Sequence, residues 1–350
     1  MTRYFLAAIL LLLPLCASAK TANISVAKCT SATPAINEES FVLIGGIEQW
    51  VTIHGANCAN PVVLFVHGGP GNPSTPFART VYGAWEKEFT LVQWDQRGAG
   101  KTFGRNPDTA KSELTIEQMA QDGNELAAYL ARHLNKKKVI LTGGSWGSYL
   151  SVHMAKSRPE LFHAYVGIGQ MVNYTENQTS SYTKVLALAR AAEDAKTLST
   201  LDALGPPPWS NPRNFGILRR ATRVYEAKTT TPSPKSWWIL SPEYTTPQAQ
   251  ADYEAGEDYS YLQFVGLSGN GMLSRVDLPK LGTTFKLPVF MIQGAEDLVT
   301  TPEVAKKYYD SIKAPKKEYL LLARTGHDPN EAMLDAQYKI LKTLTAKKKM

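Results

Sequence analysis

The chain has 350 residues, 38 Lys and Arg against 31 Asp and Glu (formal net charge +7), and 43% hydrophobic residues. That length leaves room for an insertion within one folded unit, while the apolar share excludes a disordered chain. The basic excess falls in Lys136-Lys137-Lys138 and between 342 and 349, as solvated helix ends rather than the aromatic-interleaved surface of a nucleic-acid binder.

The first nineteen residues read as an export address. Arg3 supplies a positive start, Phe5 to Leu15 an apolar run, and Ala17-Ser18-Ala19 a small-residue cleavage site. Cleavage is expected after Ala19, with a secreted or periplasmic product. The run is short for a bilayer span, so no stable membrane anchor is expected after cleavage. Removal of Cys16 leaves Cys29 and Cys58. In an oxidising compartment this pair, flanking a hairpin-like stretch at 41–54, is expected to form a disulfide; two free buried thiols are the alternative.

Next come strand-like runs that each end in a glycine-rich loop. Residues 61–66 are followed by His67-Gly68-Gly69-Pro70-Gly71, where glycine lets the backbone approach a substrate carbonyl and proline stiffens the loop. Residues 90–93 are followed by Trp94-Asp95-Gln96-Arg97-Gly98-Ala99-Gly100, in which Asp95 and Arg97 are expected to pair and shape the floor of a site. A helix is expected over 114–135.

The strand at 139–142 then runs into Gly143-Gly144-Ser145-Trp146-Gly147-Ser148, with a helix expected from about Tyr149. Gly-x-Ser-x-Gly between strand and helix is the pattern of a nucleophile elbow. A serine on a sharp, strained turn needs neighbours without side chains, because β-carbons would collide with the adjoining strand and helix. The turn lifts the Ser145 hydroxyl clear of the backbone and aims the Trp146 N–H at a developing oxyanion. Downstream, Leu287 to Gly294 reads as a buried strand, with Asp297 in the loop after it and Pro302 opening a helix. Glu318 to Leu322 reads as another strand, followed by Gly326-His327. The order Ser, Asp, His suits a nucleophile, an acid and a base, and the Gly-x-x-Asp spacing favours Asp297 over its neighbour Glu296. Of six histidines only His327 stands in the right place: His133, His153 and His163 fall in or beside helix-like segments, His54 on an early strand, and His67 in the glycine loop.

H-G-G-P-G, then D-Q-R-G-x-G, then G-G-S-W-G-S resembles the prolyl aminopeptidase (proline iminopeptidase) group of α/β-hydrolases, over roughly 40–170 and 285–345. The resemblance implies the α/β-hydrolase fold, a mostly parallel central sheet with helices on both faces and an inserted helical lid. It implies a serine hydrolase that removes N-terminal residues from small peptides, without metal or organic cofactor. By motif, Ser145, Asp297 and His327 match the triad, and Trp146 and Gly69 the oxyanion hole, with Gly68 as the second choice. The chain divides into a leader (1–19), a first core part (20–171), a helical lid (172–284) and a second core part (285–350). Helix-like pieces at 183–197, 215–228 and 248–264 make up the lid. In the family, lid glutamates bind the free α-amine of the substrate; Glu226 and Glu254 are the candidates, with Glu257 competing for the second place. Tyr225 stands where the family tends to have tryptophan. Trp237 and Trp238 either line an apolar pocket or pack in the core. The expected partner is a small-molecule or short-peptide substrate; the same core also carries esterases, lactonases and amidases, and a catalytically silent binding protein on this fold is the alternative outside the enzymes.

Overall fold

The computed structural model describes residues 34–346. The expected leader and Cys29 lie outside the described residues, and Cys58 is disulfide-bonded. Among the described residues eight strands form one sheet: β1 (Ile36–Ile44), β2 (Ile47–Gly55), β3 (Val62–Val66), β4 (Thr90–Trp94), β5 (Val139–Gly144), β6 (Phe162–Ile168), β7 (Val289–Gly294) and β8 (Lys317–Leu322). Their spatial order is β1-β2-β4-β3-β5-β6-β7-β8. β1 and β4 run antiparallel to β2, and every pairing from β4–β3 to β7–β8 is parallel. The hairpin expected at 41–54 is β1–β2, joined by Gly45-Gly46, both at positive φ (56° and 80°). That is the backbone a two-residue turn between twisted strands requires. β3 and β7 are buried along their whole length, as their unbroken apolar runs demand of central parallel strands.

Among the described residues ten α-helices accompany the sheet: α1 (Ala78–Tyr82), α2 (Gly100–Arg105), α3 (Ile116–His133), α4 (Trp146–Ser157), α5 (Tyr174–Ala191), α6 (Ala195–Leu204), α7 (Arg213–Thr229), α8 (Pro247–Val265), α9 (Pro302–Ser311) and α10 (Glu331–Thr345). α3 begins where the Thr115 side chain accepts the Gln118 N–H, and it buries Ile116, Met119, Leu126 and Leu130 along one face. α10 begins where Asn330 accepts the Met333 N–H. The crossover from β6 to β7 holds α5 to α8 and leaves the sheet at the C-terminal end of β6, the edge at which Ser145 follows β5 and Asp297 follows β7.

Two boundaries in this crossover differ from the sequence reading. α5 starts at Tyr174 rather than 183, because Asn173 caps it by accepting the Glu176 N–H. The helical pattern then breaks at Glu193, which has φ 50°, and Asp194 caps the separate helix α6. Asn177, in an Asn-x-Thr triplet, is buried, and its Oδ1 accepts the N–H groups of Val172 and Asn173.

Candidate active site

Ser145 joins β5 to α4 with φ 52° and ψ −121°, a conformation that non-glycine residues rarely adopt. Holding a serine there costs roughly 1–3 kcal/mol, supplied by the packing around it. Its N–H donates to the Ile168 carbonyl on β6 (2.9 Å). The elbow glycines serve close approach. A β-carbon on Gly147 would lie 1.9 Å from the Val66 carbonyl oxygen, and one on Gly143 would lie 2.3 Å from the Gly147 carbonyl oxygen. Gly144 has only the Ile168 carbonyl oxygen within reach, at 3.9 Å. The helix expected from about Tyr149 opens at Trp146, immediately after the serine. The Trp146 N–H therefore has no intrahelical acceptor and points out of the helix start.

Ser145, His327 and Asp297 come together from three strand ends. His327 Nε2 lies 3.0 Å from Ser145 Oγ, and His327 Nδ1 lies 3.0 Å from Asp297 Oδ2. Asp297 is fully buried. Its Oδ1 accepts the N–H groups of Val299 and Thr300 (2.8 Å each), and its Oδ2 accepts Thr300 Oγ1–H (2.8 Å) and Gln293 Nε2–H (2.9 Å) as well as the imidazole. Burial pushes this carboxyl's pKa up, but the His327 charge and the hydrogen bonds outweigh it and hold the group below its ordinary value. Burial likewise pushes His327 down, and the Asp297 charge and hydrogen bond more than reverse it, leaving the imidazole above 6.5. The result is an imidazole whose Nδ1 is committed to a buried anion and whose Nε2 faces a hydroxyl.

The loop after β3 lies against the elbow: a β-carbon on Gly68 would sit 3.4 Å from Ser145 Cβ. His67 is buried, and burial depresses its pKa to about 4, so it is neutral near pH 7. Its Nε2 accepts the Gln96 N–H (3.1 Å), which leaves the proton on Nδ1, 2.8 Å from the Gly68 carbonyl oxygen. In a trans peptide C=O and N–H point in opposite directions. With the Gly68 carbonyl drawn to the imidazole, the Gly69 N–H faces away from it. Gln96 ties the arrangement together by donating to the His67 carbonyl (2.9 Å) and accepting Trp146 Nε1–H (3.2 Å).

Asp95 and Arg97 do not pair. Arg97 donates through Nε to Asp122 Oδ2 (2.8 Å) and through Nη2 to the Gly45 carbonyl (2.7 Å), bracing α3 against the hairpin. Asp95 is buried, accepts the Thr75 hydroxyl, and accepts the Lys101 N–H at the start of α2 (2.9 Å). The turn at Arg97-Gly98 sends the two side chains to different neighbours. Burial pushes the Asp95 carboxyl up to about 6.

The candidate glutamates of the crossover occupy unlike places. Glu226, on α7, is buried, with Oε1 accepting the Leu298 N–H (2.7 Å) and Oε2 the His327 N–H (3.4 Å). Burial raises its pKa. Glu254 and Glu257 are exposed on α8, and the Glu257 backbone lies beside the glycine loop, 3.0 Å from where a Gly71 β-carbon would be. Asp328 turns away from the imidazole beside it and pairs with Arg219 on α7 (2.7 Å). Trp238 is 52% exposed, its ring edge-on to Phe77, and Trp237 packs against the cluster around Trp85 and Leu334.

Sequence reasoning missed Thr300 and Gln293, which hold the Asp297 carboxylate, and Gln96, which fixes the glycine loop. Each left a faint mark: a polar residue at the end of an apolar strand, or a hydroxyl three residues after an aspartate. Among the described residues no group of three or more His, Cys, Asp and Glu is placed to hold a metal, and no helix is long and apolar enough to cross a membrane.

Residues 61–331 match the family described as the alpha/beta hydrolase fold. The chain is 30% identical over 291 residues to "Probable aminopeptidase YbaC" of Bacillus subtilis (strain 168), covering 82% of this chain and 89% of that one. A shorter match, 33% identical over 112 residues, links it to "Probable proline iminopeptidase" of Leptolyngbya boryana, covering 31% of this chain and 32% of that one. Among solved structures, proline iminopeptidase of Mycobacterium smegmatis shares the fold at TM-score 0.63 and 18% identity, over 88% of this chain and 98% of that one. The chain therefore belongs to the α/β-hydrolase fold family, and it is a hydrolase whose relatives include proteins named aminopeptidase and proline iminopeptidase.

Proposed function

We propose that this hydrolase is an exported serine peptidase of the prolyl aminopeptidase type, releasing N-terminal residues from small peptides. The observation that carries the reading is the relay from Ser145 Oγ to His327 Nε2 (3.0 Å) and from His327 Nδ1 to Asp297 Oδ2 (3.0 Å), on a serine held at positive φ. In the proposed reaction Ser145 Oγ attacks the scissile carbonyl while His327 Nε2 takes its proton. The N–H groups of Gly69 and Trp146 receive the oxyanion. The tetrahedral adduct collapses as His327 passes the proton to the leaving amine, giving an acyl-enzyme on Ser145. Water, deprotonated by His327, then releases the acid and restores the serine.

The helical crossover, 172–284, is the proposed lid, between core parts at 20–171 and 285–350. Recognition of a free α-amine falls to a carboxylate there, Glu226 or Glu254. Export after cleavage behind Ala19, to the periplasm or the medium, accords with a Cys29–Cys58 bridge. A second reading, a carboxylesterase, lactonase or amidase acting on small acyl compounds, is favoured by one observation: both Glu226 oxygens already accept backbone N–H groups.

The deciding experiment compares a prolyl-arylamide, its N-acetylated counterpart and a short-chain aryl ester, with Ser145→Ala as control. Turnover of the free-amine substrate, lost on acetylation, is expected. Ester turnover with neither arylamide cleaved replaces the peptidase with the esterase reading.

A further inference from the structure

We propose that Glu226 is a positioning residue: its single carboxylate fixes the loop carrying Asp297 to the loop carrying His327, and so makes alignment of acid and base depend on the docking of α7. The inference rests on the reading that Ser145, His327 and Asp297 carry out the reaction, and it assigns Glu226 a task that no substrate amine is needed to explain.

Three observations support it. First, the two acceptor bonds reach two different loops. Leu298 directly follows Asp297 on the β7 side, and the other N–H belongs to His327 itself on the β8 side. Backbone N–H groups in such loops have no ladder partner and, once buried, are costly to leave unpaired. One carboxylate satisfies both. Second, the core leaves space for that carboxylate. A β-carbon on Gly326 would lie 3.0 Å from Glu226 Oε2, so the residue before the base has no side chain where the glutamate enters. Third, α7 and the residues that follow it are docked at the same point by further bonds. The Thr231 N–H donates to the Arg324 carbonyl (2.8 Å), Asn330 Nδ2–H donates to the Thr231 carbonyl (3.2 Å), and Arg219 pairs with Asp328 (2.7 Å).

The charges around Glu226 set the sign of its effect. Asp297 and His327 face it from the core, and Arg219, 3.9 Å away on its own helix, is shared with Asp328, which also has Arg223 at 3.9 Å. The Glu226 carboxylate favours protonated His327, and Arg219 opposes it. Removing the glutamate charge therefore moves the base toward lower pH.

The test uses Glu226→Gln in the full chain with two probes that have no amine, a fluorophosphonate and an aryl ester. Wild-type labelling at Ser145, absent in Ser145→Ala, first checks the underlying reading; without it, that reading fails before Glu226 is tested. Glutamine keeps one acceptor and loses the charge. The expected result is labelling slowed about 10-fold or more, ester kcat lowered in proportion with KM little changed, and the acidic limb of kcat/KM moved to lower pH. Wild-type labelling and an unmoved limb overturn the proposal, whether or not free-amine substrates are lost. If Glu226→Gln does not fold, as judged by near-ultraviolet circular dichroism, Gly326→Ala decides the matter. Its methyl group crowds the carboxylate from the other side, so a several-fold drop in labelling rate supports the proposal and an unchanged rate overturns it.

Discussion

Gly147 rests on the Val66 carbonyl: a β-carbon at 147 would lie 1.9 Å from that oxygen, so the first turn of α4 sits directly on the end of β3. Gly144, three residues earlier, has open space instead, its nearest atom in that direction 3.9 Å away. The two glycines of one motif should therefore respond differently. Gly147→Ala should cost several kcal/mol, because the obstacle is backbone and cannot swing aside. Gly144→Ala should fold with a midpoint close to that of the parent. Urea denaturation of the two variants checks this, and equal losses would contradict the packing account.

Ser145→Ala should lower kcat by about four to six orders of magnitude while leaving thermal unfolding nearly unchanged, since the hydroxyl bonds only to the imidazole. The change also removes the fluorophosphonate adduct. A variant that keeps more than a tenth of the activity places the nucleophile elsewhere.

The pH dependence follows from the buried pair. In the proposed mechanism a raised His327 pKa leaves the imidazole protonated, and unable to act as base, below that value, so kcat/KM should fall on the acidic side with a midpoint above 6.5. Asp297→Asn removes the charge that raises it. The limb should then move downward, and kcat should drop on the order of 10⁴-fold as the imidazole loses its tautomer and orientation. A midpoint below 6 in the parent enzyme would show that the Asp297 contact does not govern the base.

Stability against pH tests two buried groups of opposite sign. His67, depressed from 6.5 to about 4, binds more protons in the unfolded state, so its contribution is present above pH 6.5 and is lost as pH falls through 4. Asp95, raised from 3.8 to about 6, binds more protons in the folded state, so its contribution is present below 3.8 and is lost as pH rises through 6. Each shift is worth about 3 kcal/mol at 1.36 kcal/mol per pH unit, and between pH 4 and 6 the two largely cancel. Asp95→Asn removes one side of the balance. Relative to the parent, the variant should lose about 3 kcal/mol on going from pH 6.5 to 4, as measured by denaturant unfolding at a series of pH values. Parallel curves for the two proteins would refute the assignment.

What the sequence made legible was whatever depends on short-range spacing. Gly143, Ser145 and Gly147 announce the turn because their backbone demands are local, and unbroken apolar runs such as 62–66 and 289–292 announce central strands. Asp297 and His327 stand out by their distance past such strands. The partners of a charge were not legible. Nothing in the order Asp95-Gln96-Arg97 tells that the arginine reaches across to Asp122 on α3, because that contact exists only once the hairpin and helix are side by side. Glu226 and Leu298, 72 positions apart, meet for the same reason. Helix ends in the crossover were misplaced where a single asparagine or aspartate side chain, Asn173 or Asp194, decided the boundary against a weak apolar pattern.

The seam at Leu298 and His327 bears on how such enzymes can be recombined. A crossover segment that sends a carboxylate into the strand-end loops is not an interchangeable cover, because the core is missing a piece without it. A chimera that carries another hydrolase's helices between β6 and β7 inherits two buried N–H donors without an acceptor, unless the transplanted segment brings its own. Exchange of specificity by segment swapping in this protein should therefore succeed only with donors that carry an acidic residue at the position of Glu226.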